Sequence, residues 1–177
     1  MGLIIRSSAI HAAGCYTTTP IRKGARIVEY TGRRISKELA DEKYQNSPTT
    51  YLFGLGNGDV VIDGHGTAMF INHSCDPNCE TEEIEGRVWI IAIRNIKADE
   101  ELTYDYYLYD GGDDEAYCNC GAKKCRKSMY SPEELKRRAR KARKTLRQPK
   151  PAGKKPLSAG KSLSSGKPIK RKKLARK

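Results

Sequence analysis

The chain has 177 residues, a formal net charge of +13 and a hydrophobic content of 37%. This length allows one compact domain with an appendage, and the low apolar content indicates that part of the chain is not packed. No apolar run reaches the roughly eighteen residues that a membrane-spanning helix needs, so we expect no membrane association. Residues 1–14 also lack the apolar run of a secretory signal, so we expect the six cysteines to be metal-bound or free thiols inside a cell.

The charge is divided unevenly along the chain. Residues 1–117 carry 11 Lys/Arg and 19 Asp/Glu, a net charge of −8, whereas residues 118–177 carry 23 Lys/Arg and 2 Asp/Glu, a net charge of +21. An acidic body attracts cationic partners such as lysine-rich protein segments. A basic tail attracts phosphate backbones, because binding releases counterions. The charge pattern therefore predicts a basic protein partner for the body and a possible nucleic-acid partner for the tail.

The first hundred residues predict short strands separated by turns. Residues 26–30 and 60–62 are short apolar segments that end at turn residues, as strands do. Residues 88–93 form an almost continuous run of strong β formers, which predicts a buried central strand. A single helix is predicted in this part, with Ser36 as its N-cap and Tyr44 near its end.

The last third of the chain predicts a helix followed by an unstructured tail. Ser131, Pro132 and Glu134 occupy the N-cap, first and third positions of a favourable helix start, so we expect a helix over residues 131–147. Its apolar stripe is thin, which favours a solvated basic helix over a core element. Residues 148–177 are mainly Lys, Pro, Ser, Gly and Ala, and this composition predicts a disordered basic tail.

Three short motifs contain the residues with the most specific chemistry. They are Asn72-His73-Ser74-Cys75-x-Pro77-Asn78, which follows Phe70; Glu101-Leu102-x-Tyr104-Asp105-Tyr106; and Cys118-x-Cys120-x4-Cys125. In this order and spacing the first two resemble the signature of the SET-domain protein lysine methyltransferases. The third resembles the zinc-binding post-SET segment of trithorax-type members of that family. The resemblance covers roughly residues 3–129.

The resemblance implies a mainly β fold with few helices, in the α+β class. A SET-domain β-clip with a pseudoknot would occupy residues 3–110, and a post-SET zinc segment would occupy residues 111–129. S-adenosylmethionine and a substrate peptide would enter from opposite faces and meet in a narrow channel. The peptide would add to the domain as a strand. The protein would act as a monomer.

The resemblance also implies a set of cofactor-binding residues. Asn72 and His73 would bind S-adenosylmethionine, with Phe70 packed nearby. The N-terminal loop aligns with the Gly-x-Gly cofactor loop of the family, although Ala12 replaces the first glycine and only the second is kept. The remaining candidates implied in this way are Ala13, Gly14, Tyr16 and Tyr51. Core packing is an equal alternative for Tyr51, which would otherwise line the cofactor or lysine channel.

Tyr106 is the catalytic residue that the resemblance implies, and the chemistry of lysine supports a tyrosine there. A lysine amine with a pKa near 10.4 is neutral at pH 7 only at a cost of roughly 4.6 kcal/mol. An apolar channel lowers that pKa, and a tyrosine hydroxyl with main-chain carbonyls can aim the neutral amine. Tyr104 matches the Phe/Tyr switch position of the family. Its extra hydroxyl would leave less room for added methyl groups, which predicts mainly mono- and dimethylated products.

The cysteine motif predicts a structural metal site. Cys118, Cys120 and Cys125 supply three thiolates, whereas a closed structural zinc site needs four ligands. The residues alone leave Cys75, Cys79, Cys15 and the three histidines as candidates for the fourth. The resemblance implies Cys75, so that one zinc ion would connect the post-SET segment to the active site.

These observations predict an S-adenosylmethionine-dependent protein-lysine N-methyltransferase that acts on histone-like basic tails. Its substrate would be a histone or a basic DNA-binding protein, in the bacterial cytoplasm and nucleoid or at the chromosome in a nucleus, including that of a host. Two alternatives remain: a nucleic-acid-binding protein with a zinc knuckle and basic arm, and an inactive SET-like module. The tail could be a nucleic-acid arm, a nuclear address or a substrate for automethylation.

Overall fold

The computed structural model describes residues 2–47, 49–56, 58–108 and 116–147, and within these ranges the protein is built mainly of short strands. The two α-helices are α1 (Lys37–Tyr44) and α2 (Pro132–Arg147), and a 3-10 helix covers Thr67–Phe70. The mainly β fold with few helices is thus confirmed. The strands are β1 (Leu3–Ser7), β2 (Ala13–Thr17), β3 (Arg26–Glu29), β4 (Gly32–Ser36), β5 (Leu52–Leu55), β6 (Val60–Gly64), β7 (Asn72–His73), β8 (Cys79–Ile84), β9 (Arg87–Ala92) and β10 (Thr103–Tyr104).

The strands form three small sheets in the described part of the chain. The strand orders are β1-β2, β4-β6-β5 and β3-β9-β8-β10-β7. Strand β9 lies between β3 and β8, and its Val88, Ile90 and Ala92 are buried, so the predicted buried central strand is confirmed. Most neighbouring strands are antiparallel, whereas β10 pairs in parallel with both β7 and β8.

The insertion of β10 between β7 and β8 brings two of the sequence motifs together. Strands β7 and β8 flank the loop of residues 74–78, so the chain that forms β10 passes beside that loop. The buried Asn78 fixes the crossing, because its Nδ2 donates to the Glu101 carbonyl at 2.7 Å and its Oδ1 accepts from the Thr103 N–H at 2.8 Å. This crossing is the pseudoknot that the family resemblance implies, and it joins the Asn-His and Tyr-Asp-Tyr segments.

The main core lies between the strands and beneath this crossing. Fully buried side chains in it include Cys15, Ile71, Ile90, Ile96 and Leu102. Burial of each large aliphatic side chain stabilises the fold by about 1.5–3 kcal/mol. A smaller cluster of Ile35, Ala40 and Val61 holds α1 against β4 and β6.

Both helices begin at the residues that the sequence predicts. The Ser36 Oγ accepts from the Leu39 N–H at 3.3 Å at the start of α1, and the Ser131 Oγ accepts from the Glu134 N–H at 3.1 Å at the start of α2. Neither helix is long and apolar enough to cross a membrane, and the same holds for every helix in the described ranges. The predicted disordered tail, residues 148–177, lies outside the described residues.

Candidate active site and metal centre

A single carboxylate fixes the N-terminal loop to the Asn-His motif. The Asn72 Nδ2 donates to the Ala13 carbonyl at 2.9 Å and to the Glu101 Oε1 at 2.8 Å. Glu101 also accepts hydrogen bonds from the Ser8 and Tyr16 hydroxyls, at 2.8 and 3.0 Å. A Cβ at Gly14 would collide with this carboxylate, so a larger residue there would displace the Glu101 side chain from these hydrogen bonds. Sequence reasoning missed Glu101 and Ser8; the position of Glu101 within a recognised motif was the available signal.

One cavity, here called the loop cavity, lies against the N-terminal loop and has a volume of about 310 Å³. Five of the residues that the sequence predicts as cofactor-binding line this one cavity, namely Ala12, Ala13, Phe70, Asn72 and His73. Gly14 and Tyr16 are not among its lining residues; Tyr16 points to Glu101 instead. Three residues from the post-SET segment that sequence reasoning missed also line the loop cavity, namely Tyr117, Asn119 and Met129.

A second cavity, here called the sheet cavity, lies against β5 and α1 and has a volume of about 290 Å³. Its wall includes aromatic and aliphatic side chains, such as Tyr30, Phe53, Tyr104 and Leu108, and also the charged Lys37 and Asp41. Four residues line both cavities: Thr50, Tyr51, Met69 and Tyr106. The two cavities therefore approach each other at these four side chains, with Tyr104 on the sheet side.

The buried Tyr104 and the half-buried Tyr106 form a pair of phenols where the cavities meet. The Tyr106 hydroxyl donates to the Ile71 carbonyl at 3.0 Å, and the two tyrosine ring centroids are 4.8 Å apart. Burial raises the pKa of Tyr106 to about 12 and the pKa of Tyr104 well above its usual value, so both phenols are neutral near pH 7. Among the described residues no group hydrogen-bonds to the Tyr104 hydroxyl, which leaves it available to a molecule in the sheet cavity.

His73 connects Tyr106 to the cysteine cluster. The Tyr106 N–H donates to the His73 Nδ1 at 3.1 Å, so the imidazole proton is assigned to Nε2, which lies 3.4 Å from the Cys75 Sγ. Burial lowers the pKa of His73 to about 4, so the ring is neutral at physiological pH. In this tautomer the His73 ring donates to the Cys75 sulfur and accepts from the backbone N–H of Tyr106.

A buried ion pair joins the Tyr-Asp-Tyr strand to the cysteine segment. Arg126 donates to both carboxylate oxygens of Asp105, at 2.6 and 2.9 Å, and the Asp105 side chain is only 6% exposed. The Arg126 backbone N–H donates to the Cys75 Sγ at 3.4 Å. Sequence reasoning missed this pair; an arginine directly after the last cysteine was the only signal.

The four thiols that the resemblance implies for zinc lie together. The sulfur atoms of Cys75, Cys118, Cys120 and Cys125 are all within 4.8 Å of one another, with three of the separations at 3.7, 3.7 and 4.0 Å. A tetrahedral zinc ion with Zn–S bonds of about 2.3 Å places its sulfurs about 3.8 Å apart, so the donor set fits this metal.

The positions of the sulfur atoms, and not their pKa values, distinguish these four thiols, because burial raises the pKa of Cys75 and Cys118 as well as that of Cys15 and Cys79. Burial raises the pKa of the Cys120 thiol, but hydrogen bonds from the Cys75 and Ala122 backbones outweigh it and lower the pKa to about 6, which favours the thiolate that binds metal. Cys15 and Cys79 are fully buried in the core, where burial raises their pKa values to about 11 and about 12. These two candidates for the fourth ligand lie outside the cluster.

Comparison with known protein families matches residues 12–107 to the SET domain. The chain therefore belongs to the SET-domain family. The histone-lysine N-methyltransferase trithorax of Drosophila virilis is 38% identical over 133 residues, which are 69% of this chain and 3% of that protein.

Two further relatives have similar identity. The H3 lysine-4 specific histone-lysine N-methyltransferase of Eremothecium gossypii is 40% identical over 132 residues, which are 67% of this chain and 14% of that protein. The human histone-lysine N-methyltransferase 2B is 40% identical over 133 residues, which are 69% of this chain and 5% of that protein. The chain thus matches only a small part of the length of each of these relatives.

Proposed function

We propose that the chain is an S-adenosylmethionine-dependent protein-lysine N-methyltransferase. The observation that supports this most strongly is that two cavities with different linings approach each other at Tyr51 and Tyr106. One cavity is formed by the Asn-His motif and the N-terminal loop, and the other is aromatic. All three relatives described above are named histone-lysine N-methyltransferases, and the chain shares their domain.

The loop cavity is the proposed site for S-adenosylmethionine, which supplies an electrophilic methyl group when it is bound. Its volume of about 310 Å³ lies within the usual range of ligand pockets, and the small side chains of Ala12 and Ala13 occupy little of it. Asn72, His73 and Phe70 also line it. Gly14 and Tyr16 act indirectly, by allowing Glu101 to fix the loop.

The sheet cavity is the proposed site for the substrate lysine. Lys37 and Asp41 also line the cavity, but the tyrosine rings beside Tyr106 disfavour the ammonium form, so the amine loses its proton to solvent as it reaches them. The Tyr106 hydroxyl, beside the Ile71 carbonyl, then orients the neutral amine toward the loop cavity. Tyr106 remains a neutral phenol in this role, because burial raises its pKa to about 12.

A structural zinc ion is the proposed occupant of the four-cysteine cluster. Four thiolates fill the coordination shell of zinc and leave no open position for chemistry. The zinc site would hold the post-SET segment in place, and that segment contributes Tyr117, Asn119 and Met129 to the loop cavity. The domain division proposed with this site is a SET domain over residues 3–110 and a post-SET segment over residues 111–129.

The proposed substrate is a lysine in an exposed, basic and flexible segment of a histone or a basic DNA-binding protein. The net charge of −8 over residues 1–117 favours such a partner, and one relative is named as specific for H3 lysine-4. The chain would act as a monomer inside the cell, at a chromosome or nucleoid. Nucleic-acid binding and automethylation through residues 148–177 remain predictions from the sequence.

Tyr104 is proposed to limit the product to mono- and dimethyl-lysine. Its hydroxyl has room to hold the amine or a water molecule in the sheet cavity, at the expense of space for a third methyl group. We expect mass spectrometry of the product to show mono- and dimethyl-lysine for the wild type and more trimethyl-lysine for Tyr104→Phe. The exposed Tyr107→Phe is the matched control and should leave the product unchanged. Rapid trimethylation by the wild type would contradict this role.

The function is tested by transfer of labelled methyl groups from S-adenosylmethionine. The acceptors are core histones, a basic DNA-binding protein and, in a third reaction, no added substrate. Label on an added protein would support the proposal and identify the substrate class, and label on the chain alone would indicate automethylation. A folded, zinc-loaded chain that transfers no label would instead favour the nucleic-acid-binding or inactive alternatives.

A further inference from the structure

Helix α2 is a strongly charged element that methyl transfer does not use. Its start is held against the body, because Ser131 and Glu134 are buried and the Ser131 N–H donates to the Leu108 carbonyl at 2.9 Å. The Arg138 guanidinium also lies 3.9 Å from the centre of the buried Tyr130 ring. These contacts fix the direction in which the rest of the helix leaves the body.

Beyond the first turn, the described part of α2 has no buried face over residues 139–145. Every side chain described from residue 139 to residue 145 is exposed, and these include Ala139 and Ala142. An alanine is small enough that even slight packing would cover it. The second half of α2 therefore projects from the body of the protein, and its described residues offer no apolar surface to a partner.

Four cations lie along one side of this projecting helix. Lys136, Arg140, Arg143 and Lys144 follow the i, i+4, i+7, i+8 spacing that places residues on one helical face. We call them the α2 stripe. All four are exposed, and none forms an ion pair with any residue in the described ranges. At a rise of 1.5 Å per residue the stripe is about 12 Å long.

We propose that the α2 stripe binds the phosphate backbone of duplex DNA. A protein groove would require apolar anchors along the helix, and a membrane surface would require an apolar face, and the described part of α2 offers neither. Cations that form no ion pair within the described ranges, on a helix that projects from the body, can instead contact a row of phosphates. The major groove of B-DNA, about 12 Å wide, admits an α-helix, whereas that of A-form RNA is too narrow.

The base of α2 lies next to the sheet cavity. The Ser131 N–H donates to the Leu108 carbonyl at 2.9 Å, and Leu108 lines that cavity. If the proposed function holds, a duplex on the α2 stripe would therefore lie on the substrate side of the enzyme. A basic protein on the same duplex would then reach the sheet cavity at a raised effective concentration. The binding of DNA does not itself depend on methyl transfer.

The test compares the salt dependence of duplex binding by two variants of the full chain. One variant removes the stripe with Lys136→Gln, Arg140→Gln, Arg143→Gln and Lys144→Gln. The matched control removes the same charge from exposed positions on the body with Arg22→Gln, Lys23→Gln, Arg33→Gln and Lys97→Gln. Affinity for a B-form duplex of about 20 base pairs is measured over a range of salt concentrations, since each phosphate contact contributes about 0.9 to the slope of log K against log salt.

We expect the stripe variant to bind the duplex with a slope about 3–4 shallower than the wild type, and the control to keep most of the slope. Circular dichroism checks that α2 remains helical, and Arg140→Lys with Arg143→Lys should retain the slope because it retains the charge. An equal loss of slope in the stripe variant and in the control would overturn the proposal. Unchanged binding by the stripe variant, or equal competition by duplex RNA, would also overturn it.

Discussion

Two buried tyrosines and one half-buried tyrosine lie beside the junction of the two cavities, and none of them is paired with a cation from the described residues. Tyr104 and Tyr106 pack ring to ring, and the Tyr30 hydroxyl donates to the Tyr51 carbonyl at 2.9 Å. Burial raises the pKa of all three. The site thus depends on neutral phenols that can donate hydrogen bonds, since a phenolate could not donate to the Ile71 carbonyl.

The raised pKa values predict that the protein loses stability in alkali. Because the folded state favours the protonated phenols, their stabilising contribution is complete below the unfolded pKa near 10 and is lost as the pH rises toward the folded values, about 12 for Tyr106. We expect the free energy of unfolding to fall by about 1.4 kcal/mol per pH unit for each such tyrosine. Urea titrations between pH 8 and 11 measure this slope.

The absorbance of phenolate gives an independent check. The chain has ten tyrosines. Tyr104 should ionise only when the protein unfolds, because burial raises its pKa well above the usual value, so Tyr104→Phe should reduce the phenolate signal that accompanies unfolding. Ionisation of all ten tyrosines in one phase, with the fold intact, would contradict the account.

Arg126 and Asp105 illustrate how one ion pair connects two segments. In the sequence, Asp105 lies between Tyr104 and Tyr106, and Arg126 follows Cys125, the last cysteine of the cluster. We expect Arg126→Gln to destabilise the protein by about 3–5 kcal/mol, because it leaves the buried Asp105 carboxylate without its partner. Urea unfolding measures this change. Asp41→Asn, which breaks the exposed Lys37–Asp41 pair, should cost less than about 1 kcal/mol.

A double variant separates the pair from its surroundings. If Arg126 and Asp105 act as a unit, Arg126→Gln combined with Asp105→Asn should cost clearly less than the sum of the two single changes. Strict additivity of the two costs would mean that the side chains act independently.

At the level of elements, the described part of residues 116–129 has no regular secondary structure of its own and is held by contacts with the body. Its backbone pairs with itself through Tyr117 and Ser128, and its thiols reach the Cys75 loop. One wall of the loop cavity comes from this segment. The proposed zinc ion therefore determines whether residues 116–129 form this wall of the loop cavity.

We expect purified wild-type protein to contain one zinc ion per chain and Cys120→Ala to contain almost none. Metal analysis measures this directly, and Cys79→Ala is the control because that thiol lies outside the cluster. The loss of zinc should also weaken S-adenosylmethionine binding, measured by calorimetry, and expose residues 116–129 to protease. A metal-free wild type that resists protease and binds the cofactor normally would contradict the proposed zinc site.

At the level of the whole molecule, the sequence predicted the elements with clear patterns, and the family resemblance named the four thiols that lie together. Strand β9 has a continuous apolar run, and both helices have serine caps, so these three elements could be predicted from the local sequence alone. The motifs of residues 72–78 and 101–106 indicated the family, which implied their proximity. The acidic body and basic C-terminal part could also be read from composition alone.

The features that sequence reasoning missed depend on contacts between distant residues. Strands β7 and β10 have two residues each, too few to show any periodicity. The Glu101 carboxylate meets Ser8 across 93 positions and Asn72 across 29, and no local pattern predicts either contact. The exposure of α2, by contrast, was predicted from its thin apolar stripe and is confirmed for residues 139–145.

The central claim is that the loop cavity and the sheet cavity are the two halves of one methyl-transfer site that meet at Tyr106. The most direct measurement is single-turnover transfer of labelled methyl groups to a lysine substrate by the wild type, Tyr106→Phe and the control Tyr107→Phe. Because Tyr106→Phe removes the hydroxyl that aims the amine, we predict a loss of about a hundredfold in rate, equivalent to about 2.7 kcal/mol. Zinc content and cofactor affinity should be unchanged. Transfer by Tyr106→Phe at the wild-type rate would contradict the account.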